Sequence, residues 1–95
     1  MQLEASAPDA DLAYMIGLEH AKAERFEVAI EWLDRALERD PAYHYAYFQK
    51  AKAFSELGED DGCAEALDTG IAVARRDGNA KAEGELMELK ANLLG

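Results

Sequence analysis

The stretch FEVAIEWLDRALERDP, residues 26–41, decides how this chain is read. Its apolar residues Ala29, Ile30, Leu33, Ala36 and Leu37 recur at spacings of three and four, which gathers them on one side of a helix. The helix has a clear stop at Asp40-Pro41. Asp40 is suited to accept backbone N–H bonds as a helix N-cap, and Pro41 has no N–H to lose at a first helical position. A second helix is therefore expected to start there and run from Pro41 to about Leu57, with Gly58 able to take the left-handed conformation of a C-terminal cap.

Working outward, the same periodicity continues in both directions. A helix is expected from about Asp9 to Lys22, with Leu12, Ile16 and His20 on one stripe. Another covers about Glu59 to Arg76, where Glu59, Asp60 and Asp61 open the first turn and Arg75 with Arg76 close the last, both favourable to the helix dipole. Asp77-Gly78-Asn79 is the next break, and Asn79 is a candidate N-cap. The fifth helix runs to about Leu94 with Ala82, Leu86, Leu89 and Leu93 on one face. Few residues are β-branched and no run alternates, so the fold class is all-α. The short connections predict five helices packed as antiparallel neighbours.

The helices repeat at a spacing of thirty-four residues. Tyr47 follows Ala13, Ala51 follows Gly17, Phe54 follows His20, Cys63 follows Ala29, Leu67 follows Leu33, Gly70 follows Ala36 and Ile71 follows Leu37. Small residues recur where one helix must approach its partner closely, and leucines recur in the seam between them. Ile16-Gly17, Phe26, Ala29-Ile30, Trp32-Leu33, Ala36-Leu37 and Asp40-Pro41 resemble the signature of the tetratricopeptide-repeat family. The second copy, Tyr47 to Ile71, resembles it less closely, with Lys50 where the family usually has leucine and Arg75 where the closing proline would fall. The Lys50 stem is expected to lie over apolar surface with its ammonium in water. The resemblance implies one domain: a repeat over about residues 10–43, a second over 44–77 and a capping helix over about 79–94.

Composition sets limits on function. The chain has 95 residues, enough for one compact core, and 20 acids against 10 bases, for a formal charge of −10. The imbalance runs along the whole chain rather than in a tail. It disfavours nucleic acid and anionic membranes as partners, and reads as solubility or salt adaptation ahead of recognition of a basic partner. No stretch is long and apolar enough to span a membrane, Met1 to Pro8 lacks the marks of a signal peptide, and the lone Cys63 cannot form an internal disulfide. A cytoplasmic location is expected.

Catalytic and cofactor-binding constellations are absent from the sequence. His20 and His44 do not stand in a metal-ligand spacing with each other or with Cys63, and both His20 and Cys63 occupy packing positions of the repeat. Glu59-Asp60-Asp61 lacks the alternating ligands and closing glutamate of a calcium loop. No cofactor is expected, and no enzyme.

The family resemblance implies instead a concave peptide groove lined by the first helix of each repeat. Carried onto this chain, its positions are Asp11, Tyr14, Leu18 and Lys22 in the first repeat and Tyr45, Phe48, Lys52 and Ser55 in the second, with Gln49 and Glu56 at the margins. Tyr14, Leu18 and Lys22 share one helix face, as do Tyr45, Phe48 and Lys52. Aromatic rings at such positions either anchor a bound segment or finish the core. Tyr14, Leu18 and Tyr45 stand where chaperone-tail binders of this family carry lysine and asparagine, which disfavours that ligand. The implied function is a protein-interaction module for a peptide or helix of an unidentified partner. The alternative is a self-associating homodimer, since two repeats are fewer than such arrays normally need for stability.

Overall fold

The computed structural model describes residues 9–95. Five helices follow one another: α1 (Ala10–Lys22), α2 (Phe26–Arg39), α3 (His44–Glu56), α4 (Asp60–Arg76) and α5 (Ala80–Leu94), with no strand among the described residues. Each helix packs chiefly on its neighbours in the chain, while α3 also meets α1 and α5 over short stretches.

Three of the four connections use the same backbone. After α1, Arg25 N–H donates to the His20 carbonyl and Glu24 N–H to that of Ala21. The identical pair recurs after α3, from Glu59 to Phe54 and Gly58 to Ser55, and after α4, from Asn79 to Ala74 and Gly78 to Arg75. This Schellman arrangement requires a left-handed residue just past the helix, supplied by Glu24 at φ 61°, Gly58 at 73° and Gly78 at 71°. Asp9 Oδ1 caps α1 by accepting from Leu12 N at 2.8 Å, and Asn79 Oδ1 caps α5 by accepting from Ala82 N at 3.0 Å.

The α2–α3 connection is different and corrects the expected start of α3 at Pro41. Asp40 Oδ1 accepts from Ala42 N at 3.0 Å, and Tyr43 N–H donates to the Asp40 carbonyl at 3.0 Å. The aspartate thus closes an Asx turn around Pro41 rather than capping a helix. Tyr47 hydroxyl donates to the Pro41 carbonyl at 2.9 Å and braces this turn, and α3 begins only at His44.

Much of the core is built from the repeated positions, and Leu86 of α5 adds to it. Leu33, Leu67, Leu86 and Cys63 are fully buried, surrounded by Ala13, Ala29, Ala36, Ala51, Ala66 and Ala74. Burial of each leucine contributes about 1.5–3 kcal/mol. Size is traded within a repeat: a Cβ on Gly70 would meet Tyr47 Cβ at 2.7 Å, and the first repeat holds Ala13 and Ala36 at the same two positions. A Cβ on Gly17 would meet Leu33 at 3.1 Å, so the glycine lets α1 settle on α2. Cys63 is enclosed at a small-residue position, and burial raises its thiol pKa. His20, expected as a packing residue, is half-buried, with Nδ1 bonded by Arg25 Nε at 3.1 Å.

Candidate functional site

Helix α3 is the wall shared by two open clefts. Residues three and four apart on it point in adjacent directions, so Gln49, Lys52 and Glu56 turn toward α1 while Tyr45 and Phe48 turn toward α5.

The α1–α3 cleft has a volume of about 550 Å³. Its apolar part is Leu18 and Phe26 with Ala21 and Ala53, and its rim carries Lys22, Lys52, Gln49 and Glu56. The α3–α5 cleft is smaller, about 260 Å³, and is lined by Tyr45, Phe48, Leu89, Glu85, Glu88 and Asn92.

The groove positions expected from the sequence are therefore divided between two clefts. Leu18, Lys22 and Lys52 come together in the first, and Tyr45 and Phe48 in the second. Lys52 Nζ lies 5.8 Å from the Phe48 ring centroid, at the boundary between them. Lys22 is exposed and pairs with Glu19 at 3.3 Å. Tyr14 lines neither cleft. It stacks on Tyr43 with ring centroids 4.8 Å apart, and burial raises its hydroxyl pKa. Tyr43 in turn donates to Asp11 Oδ1 at 2.8 Å; burial and this bond push its pKa up to about 12. Asp11 thus faces Tyr43, and Ser55 lines neither cleft.

Phe48 is half-buried, one side on the core cluster of α3, α4 and α5 and the other on the cleft. Tyr45 is 45% exposed and donates to Glu85 Oε1 at 3.0 Å, which raises its pKa by stabilising the protonated hydroxyl. Glu85, Glu88, Leu89 and Asn92 were not recognised as cleft residues from sequence, because their role depends on α5 lying beside α3. Their spacing of three and four along one helix was the available signal.

Among the described residues no three His, Cys, Asp or Glu side chains gather to hold a metal ion, and no helix is long and apolar enough to cross a membrane. His44 sits at the start of α3, its Nδ1 3.2 Å from Asn79 Nδ2 and its Nε2 3.3 Å from Asp77 Oδ2. Asn79 Oδ1 is engaged at Ala82, so its amide nitrogen faces the imidazole as donor. His44 ties α3 to the α4–α5 turn through Nδ1 and Asn79, while its buried Nε2 has no hydrogen-bond partner among the described residues.

Residues 10–43 match the family model of the tetratricopeptide repeat. The whole fold resembles the solution structure of a tetratricopeptide repeat domain protein from Salinibacter ruber, with TM-score 0.81 and 28% identity over 90% of this chain and 86% of that one. It also resembles a Bordetella parapertussis protein, with TM-score 0.82 and 27% identity over 97% of this chain and 80% of that one. No curated protein matches the sequence.

Proposed function

We propose that this all-helical chain, which matches the tetratricopeptide repeat over residues 10–43 and shares the fold of a tetratricopeptide repeat domain protein, binds a segment of another protein along the face shared by α1, α3 and α5. The observation that carries this reading is the α1–α3 cleft, where an apolar floor of Leu18 and Phe26 lies open between the polar groups of Lys22, Gln49 and Lys52. Such a combination gives apolar area for affinity and a few polar groups to set register. An extended peptide or one helix face is the natural occupant.

The test is site-specific crosslinking in the cells that make the protein. A photoreactive residue at Gln49 should give a discrete protein adduct, and the same probe at Glu65, exposed on α4, should not. Equal labelling from both positions would sink the reading.

Self-association is the second reading, favoured by exposed apolar side chains away from both clefts. Leu12 and Met15 on α1 are 47% and 59% exposed, and Met87 on α5 is 50% exposed. Sedimentation across a range of concentrations separates the two, because only self-association shifts mass without an added partner.

A further inference from the structure

The α3–α5 cleft differs from its neighbour in charge. Glu85 and Glu88, three apart on α5, line it together with the Tyr45 and Phe48 rings, and no lysine or arginine does. Glu85 already accepts the Tyr45 hydroxyl at one oxygen, and a carboxylate can accept further bonds at the other. Glu88 is exposed and has no ion pair among the described residues.

The chain's own cations are largely engaged elsewhere. Lys90 is paired with Asp68, Arg75 with Glu83, Lys50 with Asp34 and Lys22 with Glu19. Lys52 meets the Phe48 ring at 5.8 Å from the α1 side, and Lys81, one turn before Glu85 on α5, has no ion pair among the described residues. An aromatic face beside two carboxylates attracts a cation twice over, through the ring quadrupole and through Coulomb attraction. Phe48 and Leu89 also offer apolar surface along which the methylene stem of a basic side chain can lie. The formal charge of −10 adds a long-range field of the same sign.

We infer that the α3–α5 cleft takes a lysine or arginine side chain of the partner segment, with an adjacent apolar residue of that segment on Phe48 and Leu89. This rests on the reading that the α1, α3 and α5 face binds protein, and it names the chemistry by which that face selects its partner. Tyr45 acts as a positioning residue, holding the Glu85 carboxylate at the rim.

The experiment is selection of a random dodecapeptide library on the full chain, followed by affinity measurement on the enriched peptides. Enriched sequences should carry lysine or arginine beside an apolar residue. Their affinity should fall roughly tenfold or more when Glu85→Gln and Glu88→Gln are combined, and by a similar factor when the peptide's basic residue becomes methionine. The two changes should not multiply, because both remove the same interaction. Higher salt should weaken binding to the parent protein more than to the double variant. Both substitutions lie at the cleft rim and should leave the melting temperature near that of the parent. Enriched peptides without a basic residue, or unchanged affinity for the double variant, would overturn the assignment and leave the protein-binding reading intact. A selection that enriches nothing above bare support would remove both.

Discussion

Lys50 Nζ lies 2.7 Å from Asp34 Oδ1, an ion pair that joins α3 to α2 across the boundary between the repeats. Lys50 is 23% exposed in its side chain, and its ammonium also stands 6.0 Å from the Phe54 ring centroid. The stem lies against the protein, as the sequence suggested, but the head meets a carboxylate rather than solvent alone. A position that usually supplies apolar packing between helices here supplies a charge contact.

Because Asp34 is 46% exposed, the pair is expected to be weak. Asp34→Ala should cost no more than about 1 kcal/mol, and the loss should shrink in high salt. A double-mutant cycle with Lys50→Ala, read by urea unfolding, checks it. A zero coupling term would show that the contact contributes nothing.

Leu33 is the contrast. It is fully buried, so Leu33→Ala should cost about 2–5 kcal/mol, several times the effect of Lys50→Ala in the same unfolding assay. Equal losses at the two positions would mean that Lys50 serves the core.

Two glycines should respond to alanine in opposite directions. At Gly70 the new methyl would collide with Tyr47 Cβ at 2.7 Å, with Leu86 also close, and about 1–3 kcal/mol should be lost. At Gly84, inside α5, nothing lies within 4 Å, so Gly84→Ala should gain about 0.5–1 kcal/mol through helix propensity and a less free unfolded chain. Thermal melts of the two variants should fall on either side of the parent.

All four tyrosines are raised above the ordinary value of 10.0, Tyr14 and Tyr47 by burial, Tyr45 by its bond to Glu85, and Tyr43 furthest, to about 12. A phenol whose pKa is higher folded than unfolded favours the folded state below the unfolded value. That contribution is lost as pH rises from the unfolded value through the folded one. Stability should therefore hold to about pH 10 and fall above it. Absorbance titration should show Tyr43 ionising last, and Asp11→Ala should bring it down.

Asn79 serves two partners, Ala82 N through Oδ1 and His44 Nδ1 through Nδ2. Asn79→Ala removes both and should cost about 1–2 kcal/mol, whereas Asn79→Asp keeps the cap and should cost less. Equal losses would place the effect in the imidazole contact alone.

The helices were legible because apolar spacing is a local property, and the repeat because Ala13 to Leu37 recurs as Tyr47 to Ile71. The Asp40-Pro41 turn was misplaced for a physical reason: an aspartate before proline can cap a helix or close an Asx turn, and only the hydrogen bonds to Ala42 and Tyr43 decide between them. The Lys50–Asp34 pair and the Tyr14–Tyr43 stack join different helices, so no spacing along one helix reveals them. Phe48 belongs to neither alternative alone, being half core and half cleft wall.

The neighbour-on-neighbour packing of the helices governs how the molecule comes apart. Contacts between elements adjacent in the chain demand little loop-closure entropy, which predicts folding on the order of microseconds to milliseconds. The same arrangement lets either terminal helix fray while the middle stays closed, so amide hydrogen exchange should be fastest in α1 and α5 and slowest around Leu67 in α4. A segment laid across α1, α3 and α5 would act as a staple over those joints. Its arrival should slow exchange at the two ends of the molecule, including amides it never touches.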